Sequence, residues 1–218
     1  MAPTLYLSRR SPPCRTVLFV AKLLNVELEE VELDMRNKAH LKPDFLKLNP
    51  RHSIPTLVDN GVSVWESRAI AQYLCNKYAP DSQLYPREPE RRARVDTVLN
   101  WDLSSWGPAL RNSLTMKAFR GVEPTEEQTK ALTDSLAVFD ALVAANGGFV
   151  AANHLTIADL SLLANSAAIF YLDYDLKDYP NVKQWFSRLE KEISFYNDFK
   201  SEAIEGLKKI IEMHKTPA

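Results

Sequence analysis

Every strand-like segment of this chain falls within its first 65 residues, and all that follows is patterned at helical spacing. Thr4-Leu5-Tyr6-Leu7 reads as a short strand, and Val17, Leu18, Val20, Ala21 and Leu24 then recur as one helix face. Residues 27–33 end in an apolar/acidic alternation, which predicts a second strand with one wet face. A polar stretch with a short helix around 42–48 comes next. Thr56-Leu57-Val58-Asp59, Asn60-Gly61 and Val62-Ser63-Val64-Trp65 follow, and Asn-Gly between two apolar runs is the strongest short hairpin signal. A helix from about Ser67 to Tyr78 closes the unit.

The order β-α-β-α-β-β-α is that of a thioredoxin-like α/β domain, assigned here to residues 1–78. Pro80, Pro86 and Pro89, set among charged residues, mark 79–88 as a linker. Residues 89–218 are then expected to be all-helical, with amphipathic stretches at roughly 88–118, 125–145, 156–171 and 181–193 and a final helix to about 213. Within them, Leu155-Thr156-Ile157-Ala158-Asp159-Leu160 fits a capping box with Asp159 at the third helical position and a Leu155/Leu160 staple, a structural rather than catalytic feature.

Composition narrows the chemistry. A hydrophobic content of 45% supports full cores, so Cys14 and Cys75 are not needed as a disulfide framework, and neither has metal-ligand spacing. Lysine and arginine total 27 against 28 acidic residues, which gives no general attraction for nucleic acid or an anionic membrane. With no signal-peptide core and no apolar run of membrane-spanning length, a cytosolic protein is expected.

Three segments could carry chemistry. Ser11-Pro12-Pro13-Cys14-Arg15 joins the first strand to the first helix, where unpaired N–H groups and the helix dipole favour negative charge. Thiol–disulfide oxidoreductases of this fold carry Cys-x-x-Cys at that turn. Here the first position is serine, which cannot form the disulfide but can donate a hydrogen bond to a bound sulfur. The same pentapeptide is also an ordinary serine N-cap followed by prolines. Ser53-Ile54-Pro55-Thr56 enters the hairpin with a proline that is a candidate cis residue. With Pro55 cis, the N–H and C=O of Ile54 could pair with an extended peptide by strand addition; otherwise Pro55 merely opens the strand. Trp65-Glu66-Ser67-Arg68 creates a second helix N-terminus where a zwitterionic amino-acid end fits, its carboxylate on Ser67 and Arg68 and its ammonium on Glu66, unless this is a plain helix start. His40 and His52 flank the second helix and gain a role in holding a far carboxylate only if the other anchors exist. His154 and His214 have no comparable setting, and a zinc site is not expected.

Taken together, Ser11-Pro12-Pro13-Cys14-Arg15, the run Asn49-Pro50-Arg51-His52-Ser53-Ile54-Pro55-Thr56-Leu57-Val58-Asp59-Asn60-Gly61 and Trp65-Glu66-Ser67-Arg68-Ala69-Ile70 resemble cytosolic glutathione transferases of the insect delta and epsilon classes. Leu155 to Asp159 resembles the capping segment of that superfamily's helical domain. The resemblance implies that Ser11 keeps the sulfur of glutathione, a cosubstrate, as a thiolate. It implies that Ser53, Ile54 and Pro55 meet the cysteinyl backbone, His40 and His52 the glycyl end, and Glu66, Ser67 and Arg68 the γ-glutamyl end. It further implies a homodimer with no metal, and an apolar acceptor pocket between the domains for small hydrophobic electrophiles. Met35, Trp106, Leu110 and Phe119 are placed near that pocket, with core packing the competing role for each.

Two departures stand out. The delta pattern usually reads Leu-Pro-Gly-Ser before its Pro-Cys-Arg, whereas Leu7 is followed here by Ser8-Arg9-Arg10-Ser11, one residue longer and without glycine. Ser11-Pro12-Pro13 is closer to epsilon and Arg68 closer to delta. Arg9 and Arg10 are read as solvated, and Tyr6 and Ser8 are rival sulfur donors. The expected activity is conjugation of glutathione to hydrophobic electrophiles, as in xenobiotic detoxification. The alternatives are a non-catalytic ligand-binding or interaction module on the same scaffold, and a glutathione-dependent peroxidase or isomerase.

Overall fold

Four short strands and three α-helices make up most of the first unit. The computed structural model describes residues 2–215, without the side chains of Ile210 and of residues 213–215, so the side chain of His214 lies outside the described residues. β1 (Thr4–Leu7) sits between β2 (Glu29–Glu32), to which it is parallel, and β3 (Thr56–Asp59), to which it is antiparallel; β4 (Val62–Trp65) pairs with β3 on the outer edge. The alternation in β1 decides which face is buried: Leu5 and Leu7 are sealed, Thr4 and Tyr6 only half so. Asn60 and Gly61 both take positive φ, 49° and 82°, the pairing a two-residue hairpin turn of the primed type requires. α1 (Pro12–Leu23) and α3 (Ser67–Tyr78) lie against each other, and α2 (Pro43–Leu48) is a short helix between β2 and β3.

The far end of the hairpin is fastened to α3 by a buried carboxylate. One oxygen of Asp59 accepts hydrogen bonds from Tyr73 Oη at 2.9 Å, Lys77 Nζ at 2.7 Å and Tyr78 Oη at 2.6 Å. Burial alone would raise this carboxyl; the donors from Lys77, Tyr78 and Tyr73 outweigh it and hold the group below its ordinary value. Burial and the bond to Asp59 push the Tyr78 hydroxyl up to about 12. A carboxyl depressed in the folded state stabilises fully above its unfolded value near 3.8 and loses that contribution as pH falls below it. Asp59→Asn is therefore expected to cost about 2 kcal/mol at neutral pH. The gap to wild type should shrink in acid, which urea melts at pH 7 and pH 3.5 would measure; a pH-independent gap would contradict this account.

The chain divides after Arg87 into two units, with Tyr85 and Pro86 buried just before the division. In the second unit α4 (Pro89–Trp101), α5 (Gly107–Leu110) and α6 (Met116–Arg120) form one continuous helical path, joined by two π-helical turns, Asp102–Trp106 and Arg111–Thr115. Gly107 follows the first π-turn for a steric reason: a Cβ there would lie 2.9 Å from the carbonyl oxygen of Asp102. The path ends at Gly121, in the left-handed region at φ 65°.

α7 (Glu126–Ala145) starts on a capping box, with Gln128 N–H donating to Thr125 Oγ1 at 3.2 Å and Thr125 N–H to Gln128 Oε1 at 3.0 Å. The stretch expected as one helix over 156–171 is two, α8 (Ile157–Ala164) and α9 (Ala167–Tyr171). At the break, Asn165 Nδ2 and Ser166 Oγ donate back to the carbonyls four residues earlier, at 3.1 and 3.0 Å, competing with the helix ladder. α10 (Pro180–Glu192) and α11 (Tyr196–Lys215) complete the unit.

An aromatic cluster fills its centre, with Phe139 edge-on to Trp106 at 5.2 Å and to Trp185 at 5.0 Å between ring centroids. Beside it Asp159, fully buried, accepts from Thr156 N–H at 2.9 Å, Thr156 Oγ1 at 3.0 Å, Val150 N–H at 3.0 Å and Trp185 Nε1 at 2.9 Å. Asp159 thus ties the start of α8 to the preceding loop and to α10. Among the described residues no helix is long and apolar enough to cross a membrane.

Candidate functional site

Strand register gathers the singled-out segments at one end of the first sheet. Tyr6 opposes Thr56, Thr56 opposes Trp65, and Leu7 lies beside Glu32. The carboxyl ends of β1, β2 and β4 and the amino end of β3 therefore share an edge, where open sheets of this kind place ligands. From that edge emerge Ser11 after β1, Met35 and His40 after β2, Ile54-Pro55 before β3, and Glu66-Ser67-Arg68 after β4.

Ser11 occupies the N-cap position of α1 in extended geometry (φ −79°, ψ 121°), yet its side chain makes no capping bond to the helix. The reading of this serine as an ordinary cap does not consume its hydroxyl. Pro12 and Pro13 fill the first two helical positions and carry no N–H, so of the first three only Cys14 retains a donor. The expectation of several free N–H groups at this helix mouth is corrected on that account.

Cys14 is sealed in the core. Burial pushes its thiol up to about 11, against hydrogen bonds from the Ser8 backbone and the Ser11 side chain. At neutral pH it is an un-ionised thiol and a poor nucleophile. Tyr6 packs edge-on to Phe45, with ring centroids 5.6 Å apart. Arg9 departs from the solvated side chain expected: its Nη2 donates to both carboxylate oxygens of Glu30, at 2.9 and 2.6 Å.

The loop before β3 is organised by a residue whose role sequence reading missed. Asn49 is fully buried; its Nδ2 donates to Ser53 O at 3.0 Å, Ser53 Oγ at 3.2 Å and Thr56 Oγ1 at 2.9 Å, while its Oδ1 accepts from Arg51 N–H at 2.9 Å. Asn followed by Pro at a helix end was the available signal. The Ile54–Pro55 bond is cis. The sheet ladder begins at Thr56, so Ile54 lies outside it. His52 sits in the left-handed region at φ 48°, with its ring 6.1 Å from that of His40, so the two imidazoles flanking α2 are brought together.

Glu66 precedes α3 at φ 73° and ψ 114°, a conformation non-glycine residues seldom hold and one that costs on the order of 1–3 kcal/mol. Its carboxylate lies 3.4 Å from Arg51 Nε, which links this junction to the Asn49 loop. Ser67 is buried at the first turn of α3 and Arg68 is half-buried beside it.

The four residues expected near an acceptor fall in different places. Met35 is exposed on the sheet edge of the first unit. In the helical unit, Trp106 and Leu110 are buried, Trp106 also stacked against Trp101 at 6.2 Å. Phe119 is half-buried against the cluster of Ala118, Leu207 and Ile211. His154 belongs to the helical unit, with Nδ1 3.0 Å from Asn153 Oδ1.

Comparison with known proteins meets this geometry. The family profile "Glutathione S-transferase, N-terminal domain" matches residues 1–76, and "Glutathione S-transferase, C-terminal domain" matches residues 108–192. Glutathione S-transferase D7 of Anopheles gambiae is 37% identical over 212 residues, which covers 95% of this chain and 97% of that protein. A delta-class glutathione transferase of Nilaparvata lugens superposes with a TM-score of 0.88 at 35% identity, covering 97% of this chain and 99% of that one. Isozyme E7 of Drosophila melanogaster does so with a TM-score of 0.83 at 33% identity, over 97% and 96% of the two chains. A thioredoxin-like sheet with Ser11, Ile54-Pro55 and Glu66-Ser67 at one edge, followed by a helical unit, is thus matched along its length, and the chain belongs to the glutathione S-transferase family.

Proposed function

We propose that Ser11 donates its hydroxyl hydrogen to the sulfur of bound glutathione and keeps it ionised for attack on small hydrophobic electrophiles. The chain is a glutathione transferase with glutathione as cosubstrate, and its relatives are insect transferases of the delta and epsilon kinds. The observation that carries the role of Ser11 is its hydroxyl at a helix mouth, making no capping bond and meeting the Cys14 side chain, where two prolines have removed the competing N–H donors.

A free thiol near pKa 8.5 must be lowered by about two units to be mostly ionised at neutral pH, about 2.7 kcal/mol. A hydrogen bond to a charged group contributes roughly 1.5–3 kcal/mol, and a helix N-terminus about 0.3–1 kcal/mol more. The sum suffices. Attack then moves the sulfur lone pair onto the electrophile, which either accepts it by addition or expels a leaving group such as halide.

In this reading residues 1–78 bind glutathione. Ser53, Ile54 and Pro55 meet its cysteinyl backbone, His40 and His52 its glycyl carboxylate, and Glu66, Ser67 and Arg68 its γ-glutamyl end. The adjacency of His40 and His52 and the strained Glu66 support those assignments. Residues 79–88 link to the helical part, 89–218, which supplies apolar acceptor surface; Met35 and Phe119, exposed or half-buried, suit that use better than Trp106 and Leu110.

The exposed apolar Val62 and Trp65 on edge strand β4 support a homodimer, an assignment that sedimentation at monomer mass would remove. We place the enzyme in the cytoplasm, in keeping with its two free buried cysteines; fractionation with a membrane or secretory compartment would contradict this. The test of activity is turnover of a chromogenic aryl halide and an enal with glutathione. Tight glutathione binding without turnover across a broad electrophile panel would leave a ligand-binding scaffold instead.

A further inference from the structure

The loop that carries Ser11 has no glycine and is built around an ion pair. Ser8 to Ser11 form a single turn, closed by Ser11 N–H donating to Ser8 O at 2.9 Å. On one flank Arg9 reaches β2: its guanidinium holds both oxygens of Glu30, at 2.9 and 2.6 Å, and its backbone N–H donates to Glu32 Oε2 at 3.3 Å. On the other flank the buried guanidinium of Arg15, in α1, donates to the carbonyl of Arg10 at 3.0 Å. The turn is therefore anchored by side chains from the strand and the helix on either side of it. No capping bond to the helix backbone fixes the Ser11 side chain, whose hydroxyl meets only the Cys14 thiol on the helix.

We propose that Arg9 is a positioning residue for the Ser11 hydroxyl, its fork on Glu30 and its backbone bond to Glu32 holding the turn that presents that hydroxyl to the glutathione sulfur. The inference rests on the proposed role of Ser11. The pair is partly exposed, with side-chain exposures of 43% and 33%, so its share of folding stability is small and its removal leaves the fold intact. Its effect on chemistry is larger than its effect on stability, since donors to a reacting atom must be held within about 0.5 Å. Opposite charge is what the pair requires, whichever partner carries which sign.

The experiment compares wild type with Arg9→Ala, Glu30→Gln, the exchanged pair Arg9→Glu/Glu30→Arg, and Ser11→Ala. Conjugation of an aryl halide is followed from pH 5.5 to 9, with thermal melting alongside. Arg9→Ala and Glu30→Gln are expected to move the ionisation seen in kcat/KM up by about one unit and to lower kcat/KM roughly tenfold at pH 6.5, with the KM for glutathione changed less than about twofold. The exchanged pair recovers most of the loss. A wild-type pH profile in Arg9→Ala, or loss of activity matched by loss of melting temperature, overturns the inference. Ser11→Ala separates the two layers: if it leaves the ionisation unmoved the role of Ser11 fails, whereas if it moves the ionisation and Arg9→Ala does not, only the role of Arg9 fails.

Discussion

Ser11→Ala is expected to lower kcat/KM for conjugation by about 10- to 100-fold below pH 7 while leaving the fold as stable as wild type. The first part follows from losing one charge-assisted hydrogen bond, roughly 1.5–3 kcal/mol, which corresponds to a rise of about one to two units in the ionisation of the bound thiol. At high pH the thiol ionises without help and the deficit should shrink. The second part follows from geometry: the hydroxyl makes no capping bond, so the usual cost of about 1 kcal/mol for deleting an N-cap serine does not apply. Thiolate absorbance of the bound tripeptide against pH, together with a melting curve, measures both. Tyr6→Phe is the control, because that ring is engaged with Phe45. A melting temperature that falls with no change in thiol ionisation would make Ser11 an ordinary helix cap.

The second large effect is expected in the helical unit. Asp159→Ala removes the acceptor for the N–H groups of Val150 and Thr156, the Thr156 hydroxyl and the Trp185 indole, all at a buried position. Leaving several buried donors unpaired costs about 3–5 kcal/mol. That is a large part of the 5–15 kcal/mol by which proteins of this kind are typically stable. Burial pushes the Asp159 carboxyl up, and the four bonds oppose that rise. Asp159→Asn keeps one acceptor oxygen and should fall between wild type and alanine. Melting temperature should drop by about 10 °C for alanine, with glutathione affinity of the surviving folded protein unchanged. A drop of only a degree or two would show that the hub is dispensable.

What could be read in advance was whatever is enforced locally. The hairpin turn needs two residues tolerant of positive φ, and Asn60-Gly61 declares it. Proline at the first turn of α1, α2, α4 and α10 announces those starts because the missing N–H costs nothing there. The edge-forming segments followed from strand order, since β-α-β-α-β-β-α folds their termini to one side.

Features that escaped depend on partners distant in sequence. Asn before Pro marks a helix end at Asn49 without showing that its amide will serve Ser53 and Thr56 together, and Arg9 looked solvated because Glu30 is 21 residues away. Trp106 and Leu110 carry apolar side chains that a pocket or a core could use, and only the fold shows them buried, with Phe139 against Trp106. The break between α8 and α9 turns on Asn165 and Ser166 bonding backwards, a choice their composition permits without dictating.

The two π-turns have a bearing on how this stretch responds to changes of length. Removing one residue between 102 and 106 would restore 3.6 residues per turn and rotate everything from there to Arg120 by about 100°. Trp106, Leu110 and Phe119 would all be re-aimed without a single one of them being replaced. Insertion and deletion, rather than substitution, are thus the coarse adjustment available to this helical path, and Gly107 is the tooth that keeps its present setting engaged.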